Sequence, residues 1–415
     1  MSSYRHGAYF SEQATSLLPP VRVDVSMPVI ISTAPVHTLE AGVERPINKP
    51  LLLFTAGEGS QLGTLPEGAK KSDYPLLQAV EVFLSRYLIS PICVINVFDP
   101  AKHTNEQGQP DVSKVTAADI IGGIDAATGA RMGLELIDEI YPRFGIIPGQ
   151  IIAPGFSDNP SVALVLGARS TGISGHFGAT AIADIPDSVT SYTLANEYVQ
   201  DNNLTDRNLV HFFGSPFFNE AAEFGSIHWA GITAQRDSEN DNIPYWSPSN
   251  KRLLANGMVH AGKELVLDSF QAGYLNGRGI VTGFSWSNGL VGWGNRTGAY
   301  PGVTDVKDTF IPLRRMFNFT GNTLVTTAWQ LVDAPLNRRL AGTVCDTFNV
   351  WLNGLARRGY LLGGRCEFLS DDNPTTDVMD GISRFRVRFA PPSPNREMNF
   401  ILEYDPAYIA TLFGV

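Results

Sequence analysis

Residues 74–98 read YPLLQAVEVFLSRYLISPICVINVF, and this stretch contains a helix pattern followed directly by a strand pattern. Apolar residues recur at three- and four-residue spacing over residues 74–88, which predicts an amphipathic helix. Ser90-Pro91 ends the helix, because a residue that precedes proline favours the extended conformation. Residues 92–98 are apolar and rich in β-branched side chains, as in a parallel strand at the centre of a sheet.

The same alternation of strand and helix continues on both sides of this stretch. We predict strands over residues 29–33, 51–55, 150–153, 180–184 and 208–213, with helices starting near residues 159 and 226. This order favours a mostly parallel sheet covered by helices. The last hundred residues instead combine one helix with an apolar stripe, residues 335–358, and one alternating strand, residues 384–389. The fold class is therefore mixed α/β, and the length predicts two or three domains.

The composition limits the classes of function. Charged residues make up only 17% of the 415 residues, against about 25% in an average soluble domain, and the net charge is −10. The acidic balance argues against nucleic-acid binding, and no apolar run approaches the length of a membrane-spanning helix. The three cysteines are too few for a disulfide framework and are expected to be buried thiols in a reducing compartment. The low charge indicates that much of the surface does not face water.

No motif predicts a catalytic, cofactor-binding or metal-binding residue. The seven histidines are not spaced as zinc ligands, and no Cys-x-x-Cys, nucleophile elbow or phosphate-binding glycine loop occurs. An α/β hydrolase-like enzyme stays open as an alternative, because Asp184, His211 and a serine would be brought near one another by neighbouring strands. That alternative predicts a polar pocket with serine–histidine–aspartate geometry.

Both ends of the chain contain an alternating strand next to prolines. Such strands either pair within their own domain or add to the open edge of a sheet in another subunit, where main-chain hydrogen bonds supply the affinity. The apolar residues on one face of these strands are Val21, Val23 and Val25 at the start and Met398, Phe400, Leu402 and Tyr404 at the end.

Basic residues change in type along the chain. From Ile311 to the end there are eleven arginines, no lysine and ten acidic residues, so that this part is close to neutral. The preceding part therefore contains the whole acidic excess. Arginine is preferred over lysine where carboxylates are bound in a bidentate way at an interface. We interpret the pattern either as an inner surface that meets an acidic partner or as chance in a solvated surface.

Nine stretches of the sequence, taken in order, match a known family. They are RHGAYFSEQ at residues 5–13, ERPI at 44–47, LLLFTAGEGSQLG at 51–63, IIAPGF at 151–156, AIADIPD at 181–187, SIHWAGITAQRD at 226–237, YWSPSN at 245–250, GWGNRT at 292–297 and IPLRRMFNF at 311–319. With them, most of the chain resembles the contractile tail sheath proteins of long-tailed bacteriophages and related tailocins, of the P2-like kind. The motif of Arg314, Arg315 and Phe317 resembles a strand of that family.

The resemblance implies a structural subunit rather than an enzyme. Copies would form a sixfold helical homopolymer around a tail tube protein and contract to drive the tube through the host cell envelope for genome ejection. Further partners would be baseplate and tail terminator proteins, without nucleic acid, cofactor or membrane insertion. The protein would be part of the virion tail after assembly in the host cytoplasm. A sheath of a bacterial contractile injection system is a second alternative.

The resemblance also implies a domain plan. Residues 1–27 and 398–415 would be arms that donate strands to neighbours, and residues 28–274 an outer α/β region with a subtilisin-like domain. Residues 275–397 would form an inner α+β domain that contacts the tube. For the tube-facing surface we expect the helix over 335–358, with Arg338, Arg339, Arg357 and Arg358 as candidates.

Overall fold

The structure is a computed structural model that describes residues 20–21, 26–287 and 289–413. Most of the expected N-terminal arm, including Val23 and Val25, lies outside the described residues. Val21 is described, and its amide donates a hydrogen bond of 3.0 Å to Thr327 Oγ1. Among the described residues, no helix has both the length and the apolar character needed to cross a bilayer.

The fold consists of nineteen strands and eleven α-helices within these ranges. The strands are β1 (Pro28–Ser32), β2 (Pro50–Leu53), β3 (Ile92–Asn96), β4 (Gly123–Ile124), β5 (Arg131–Met132), β6 (Gln150–Ile152), β7 (Thr171–Ile173), β8 (Phe177–Gly178), β9 (Thr180–Asp184), β10 (Leu209–Phe213), β11 (Ser215–Phe218), β12 (Ala221–Ala222), β13 (Lys251–Arg252), β14 (Gly257–His260), β15 (Lys263–Glu264), β16 (Ile280–Trp286), β17 (Gly289–Trp293), β18 (Gly363–Glu367) and β19 (Arg386–Ala390). The helices are α1 (Pro75–Val80), α2 (Ala117–Ile121), α3 (Ile140–Phe144), α4 (Pro160–Arg169), α5 (Ala195–Asp201), α6 (Gly225–Ser238), α7 (Ser269–Asn276), α8 (Val306–Thr309), α9 (Ile311–Ala328), α10 (Arg338–Arg357) and α11 (Thr375–Met379).

A nine-stranded sheet organises the main body in the order β13-β17-β16-β10-β9-β6-β1-β3-β2. Neighbouring strands from β16 to β3 pair in parallel, whereas β2, β17 and β13 are antiparallel to their neighbours. Every residue of β1, β3 and β10 is buried, which explains their continuous apolar sequences. The predicted mixed α/β class is thus confirmed. Strand β3 is fully buried, as expected from residues 92–98, but it lies beside the edge strand β2 and not at the centre of the sheet.

Helices cover this sheet and continue into the C-terminal part. The predicted helix over 74–88 is α1 followed by a π-helical turn over Glu81–Arg86. Helix α6 is buried along almost its whole length, and Trp229 on it is one of the largest fully buried side chains. Two amides of α9 anchor it to the neighbouring hairpin: Asn318 Nδ2 donates to the Ala179 carbonyl at 2.9 Å, and Asn322 bonds both main-chain groups of Gly178.

The expected strand over residues 311–319 is wrong. These residues form the first half of α9, with Pro312 at the first turn. Proline is compatible with that position because its missing amide would have no partner in a helix there. The burial pattern follows the helical period: Ile311, Leu313, Met316 and Phe319 face the core.

The C-terminal part is a smaller layer. Helix α10 packs on a two-stranded antiparallel sheet of β18 and β19, and Val344, Phe348, Leu352 and Leu355 form its buried stripe. The expected domain boundary at residue 275 does not coincide with the edge of the main sheet, since β16 and β17 still pair within it. The division into an outer and an inner domain, and the subtilisin-like character, stay predictions.

Candidate assembly surfaces

Residues 398–409 of the C-terminal arm are all exposed. Residues 391–405 contain no hydrogen-bonded strand, and they lead into a short 3-10 helix over Pro406–Phe413. The expected apolar face points to solvent in this subunit: Met398 is 68% exposed, Phe400 83%, Leu402 94% and Tyr404 81%. Isolated surface hydrophobics are common, but a continuous exposed run of this kind marks a binding segment.

The β18–β19 sheet offers an unpaired edge on β19. It has two strands among the described residues, so that β19 has one free side, whereas on β18 the Asn349 side chain bonds the main-chain N–H and C=O of Cys366. Strand β19 shows the predicted alternation, with Val387 and Phe389 half-buried against α10 and α9 and the arginines exposed. Strand β18, with sequence GGRCE, was not predicted, because two glycines and two charged residues give no strand pattern.

Acidic partners neutralise the arginines of this sheet. Arg384 Nη1 lies 2.5 Å from Asp377 Oδ2, Arg388 Nη1 lies 2.5 Å from Glu367 Oε2, and Arg386 pairs with Asp372. These three arginines are therefore not free positive charges. These ion pairs were not predicted from the sequence, because the acidic residues lie up to about twenty positions before the arginines.

The arginine candidates on α10 lie in two places. Arg338 and Arg339 are in its first turn, whereas Arg357 and Arg358 are in its last, and a helix of 20 residues separates them by about 30 Å. All four are exposed. Arg358 pairs with Asp241 at 3.4 Å, and the Tyr360 hydroxyl donates to the same carboxylate at 2.7 Å.

The other three candidates have no acidic partner of their own subunit. Within the described ranges, no carboxylate lies within 4.0 Å of Arg338, Arg339 or Arg357. Their charge is thus available to another molecule. The sequence grouped all four arginines together, but Arg358 differs from the other three because it already pairs with Asp241.

Two sequence motifs meet in the core. Arg315 on α9 binds Asp237 on α6 in a bidentate pair, with Nη1 2.9 Å from Oδ1, and the pair is almost fully buried. Ser26 Oγ donates to the same carboxylate at 2.7 Å. The motif residues therefore fasten α9 to the main body and to the segment that leads from the N-terminus.

The serine–histidine–aspartate trio is not assembled. The carboxylate of Asp184 accepts bonds from the Ser226 amide at 2.6 Å, from Ser226 Oγ at 2.5 Å and from Ser157 Oγ at 3.2 Å. His211 is buried and its Nε2 bonds the Leu204 carbonyl at 2.7 Å, without a serine or carboxylate partner among the described residues. Burial lowers the pKa of His211 to about 4, so that its ring is neutral at pH 7.

Comparison with known proteins gives consistent results. No protein-family model matches the chain. The tail sheath protein of Burkholderia phage BcepMu is 31% identical over 327 residues, which span 76% of this chain and 66% of that protein. The tail sheath protein of Escherichia phage P2 is 22% identical and aligns over 99% of this chain and 98% of its own length.

Solved sheath structures share the fold along the whole chain. The sheath complex of PVC, an extracellular contractile injection system, in its contracted state has a TM-score of 0.69 at 15% identity and covers 98% of this chain and 99% of its own. The contracted helical sheath of the anti-feeding prophage has a TM-score of 0.64, with 96% and 98% covered. These likenesses show that the chain has the fold of a sheath subunit. The chain belongs to the tail sheath proteins.

Proposed function

We propose that this chain polymerises into a helical sheath around a tail tube and that the sheath contracts to drive the tube through a host cell envelope. The main support is the fold, which matches contracted sheaths over 98% of the chain. Sixfold rings, a tube, a baseplate and a tail terminator follow from this proposal, as does a place in the virion tail after assembly in the host cytoplasm. The subunit acts by assembly and not by catalysis.

The C-terminal arm is proposed to link neighbouring subunits. Its apolar residues are exposed, and a free edge of the β18–β19 sheet can accept a strand through main-chain hydrogen bonds. The N-terminal arm, with Val21, Val23 and Val25, is proposed to do the same. Because main-chain pairing depends little on side-chain packing, such links can persist while subunits rotate during contraction.

Electron microscopy of the purified chain tests the proposal directly. Negatively stained full-length protein should form striated tubes, and deletion of residues 398–415 should leave dispersed subunits. A deletion of residues 408–415 is the matched control, since it retains Met398, Phe400, Leu402 and Tyr404. Long tubes formed by the chain without residues 398–415 would contradict the role of the arm.

The tube-facing surface is proposed to lie at the ends of α10. Arg338, Arg339 and Arg357 have no acidic partner in the part of the subunit that the structure describes, whereas Arg358 is partly neutralised by Asp241. Reversal of Arg338 and Arg339 to Glu, or of Arg357 to Glu, should reduce the length of tube that is coated. Reversal of the exposed Arg45 in the main body is the control and should leave coating unchanged.

A sheath with this function can belong to a phage tail or to a bacterial contractile injection system. The curated relatives include tail sheath proteins of phages, while the matching structures include sheaths of an extracellular contractile injection system. Microscopy of particles produced by the source cell separates them: a DNA-filled head on the sheathed tail indicates a phage, and a headless sheath indicates a tailocin or an injection system.

A further inference from the structure

Two of the three cysteines meet between α10 and β18. Cys345 lies on α10 and is partly exposed, Cys366 lies on β18 and is buried, and Cys93 is buried in the main sheet. Cys345 packs against the small apolar cluster that contains Cys366, Val344 and Phe348. Residues 345 and 366 are thus side-chain neighbours across the interface between a helix and a strand.

Asn349 fixes their relative position. It lies one helical turn after Cys345, so both side chains point from the same face of α10. Its Oδ1 accepts a bond of 2.7 Å from the Cys366 amide, and its Nδ2 donates one of 3.1 Å to the Cys366 carbonyl. This two-point bond holds the main chain of Cys366 beside the helix.

Burial raises the pKa of both thiols, and each sulfur also influences the ionisation of the other. Cys345 is partly exposed, whereas Cys366 is buried. Cys345 is therefore the thiol that an oxidant in solution reaches first.

We propose that Cys345 and Cys366 are a redox-sensitive pair that forms an intrasubunit disulfide when the protein leaves a reducing compartment. A small disulfide compound is the oxidant. The Cys345 thiolate attacks one of its sulfur atoms and expels a thiolate. The Cys366 sulfur, after losing its proton, attacks Cys345 Sγ and expels the second thiolate. Both expelled thiolates take up protons; the two cysteines lose two electrons and the small disulfide gains them.

The disulfide would lock α10 onto the β18–β19 sheet. The loop that it closes contains Arg357 and Arg358, and β19 of the same sheet presents a free edge among the described residues. If the proposed function holds, the lock joins the tube-facing helix to the sheet that accepts an arm. The chemistry itself does not depend on assembly, so the pair can be tested on dispersed subunits.

Thiol counting after oxidation tests the pair. Native full-length protein is incubated with glutathione disulfide, denatured and treated with N-ethylmaleimide, and its mass is measured. The number of alkylated thiols should fall from three to one, with a linked peptide that joins residues 345 and 366. The Cys93→Ser variant should fall from two to none, and the Cys345→Ser variant should keep two.

Thermal stability tests whether the disulfide holds α10 on the β18–β19 sheet. The apparent Tm of the oxidised wild-type chain should rise by a few degrees over the reduced chain, and dithiothreitol should reverse the rise. The Cys345→Ser variant should show no such rise. Three alkylated thiols in the oxidised wild type, glutathione retained on Cys345, a linkage through Cys93, or a disulfide without a change in Tm would each overturn the proposal.

Discussion

At the scale of single residues, the buried pair of Arg315 and Asp237 fastens α9 to α6. Both side chains are at most 2% exposed, so that removal of one partner leaves an uncompensated charge in the core. Arg315→Ala is expected to cost about 3–5 kcal/mol of unfolding free energy. Urea denaturation of dispersed subunits measures this loss.

The exposed pair of Arg384 and Asp377 provides the control for that measurement. Arg384→Ala should cost less than about 1 kcal/mol, because water solvates the carboxylate that remains. The double variant Arg315→Met with Asp237→Leu should recover most of the stability lost in Arg315→Ala, since it removes both charges. Equal losses for Arg315→Ala and Arg384→Ala would show that the buried pair has no special role.

Asp184 should make stability depend on pH. Burial raises the pKa of Asp184 to about 6 from an ordinary value of 3.8, although three hydrogen bonds from Ser226 and Ser157 oppose the rise. Between these two values the unfolded chain ionises while the folded chain keeps its proton. The contribution of Asp184 is therefore fully present below about pH 4 and is lost as the pH rises through 6.

The Asp184→Asn variant isolates this effect. Relative to the variant, the wild type should lose on the order of 2–3 kcal/mol of unfolding free energy between pH 4 and pH 7. Denaturation of both proteins at several pH values within this range gives the difference. A wild type that gains stability over the variant as the pH rises would contradict the assignment.

At the scale of elements, the apolar stripe of α10 holds the C-terminal layer together. Leu352 is fully buried, and Leu352→Ala is expected to cost about 2–5 kcal/mol through lost burial and the cavity left behind. Val350 lies two positions earlier and is 60% exposed, so that Val350→Ala should change stability by less than about 0.5 kcal/mol. Urea denaturation of both variants checks the helix orientation, and similar losses would contradict it.

The elements predicted from sequence are those with a local pattern. In these elements the order of apolar and polar residues reflects which side chains are buried, because each element has one dominant environment. Examples are the helical period of α10, the apolar runs of β3 and β10 and the alternation of β19. Residues 311–319 were misread as a strand, although Pro312 at a first turn and the spacing of Ile311, Met316 and Phe319 indicate a helix. The resemblance to a family strand outweighed this local pattern.

The candidate surfaces were harder to predict, because they depend on contacts between residues that are far apart in the sequence. The alternation of Phe400 and Leu402 predicted a strand; residues 391–405 form none within the single subunit, and pairing with a neighbour stays a prediction. The pairing of Arg358 with Asp241 spans more than a hundred positions, and no local signal connects the two. The ion pairs that neutralise the arginines of β19 could not be predicted either. The count of arginines in this segment therefore overstated the positive charge that the C-terminal layer has available for a partner.

At the scale of the whole molecule, the low charge of 17% fits a subunit that is covered by copies of itself. The acidic excess lies wholly before Ile311, in the main body, while the C-terminal layer is close to neutral. Stacked subunits therefore bring like charges of their main bodies near one another. The unpaired arginines of α10 lie in the other part, where they would attract an acidic tube.

These two electrostatic terms should respond to salt in opposite directions. The screening length falls from about 10 Å at 0.1 M to about 3 Å at 1 M salt, so that repulsion between main bodies weakens as salt is added. Polymerisation of the purified chain without tubes should therefore increase between 0.1 and 1 M NaCl, as measured by sedimentation. Coating of preformed tubes at low subunit concentration should decrease, and reversal of Arg338, Arg339 and Arg357 to Glu should remove that decrease. Sedimentation that falls with salt would show that attraction between charged groups, rather than strand pairing and apolar contact, holds the subunits together.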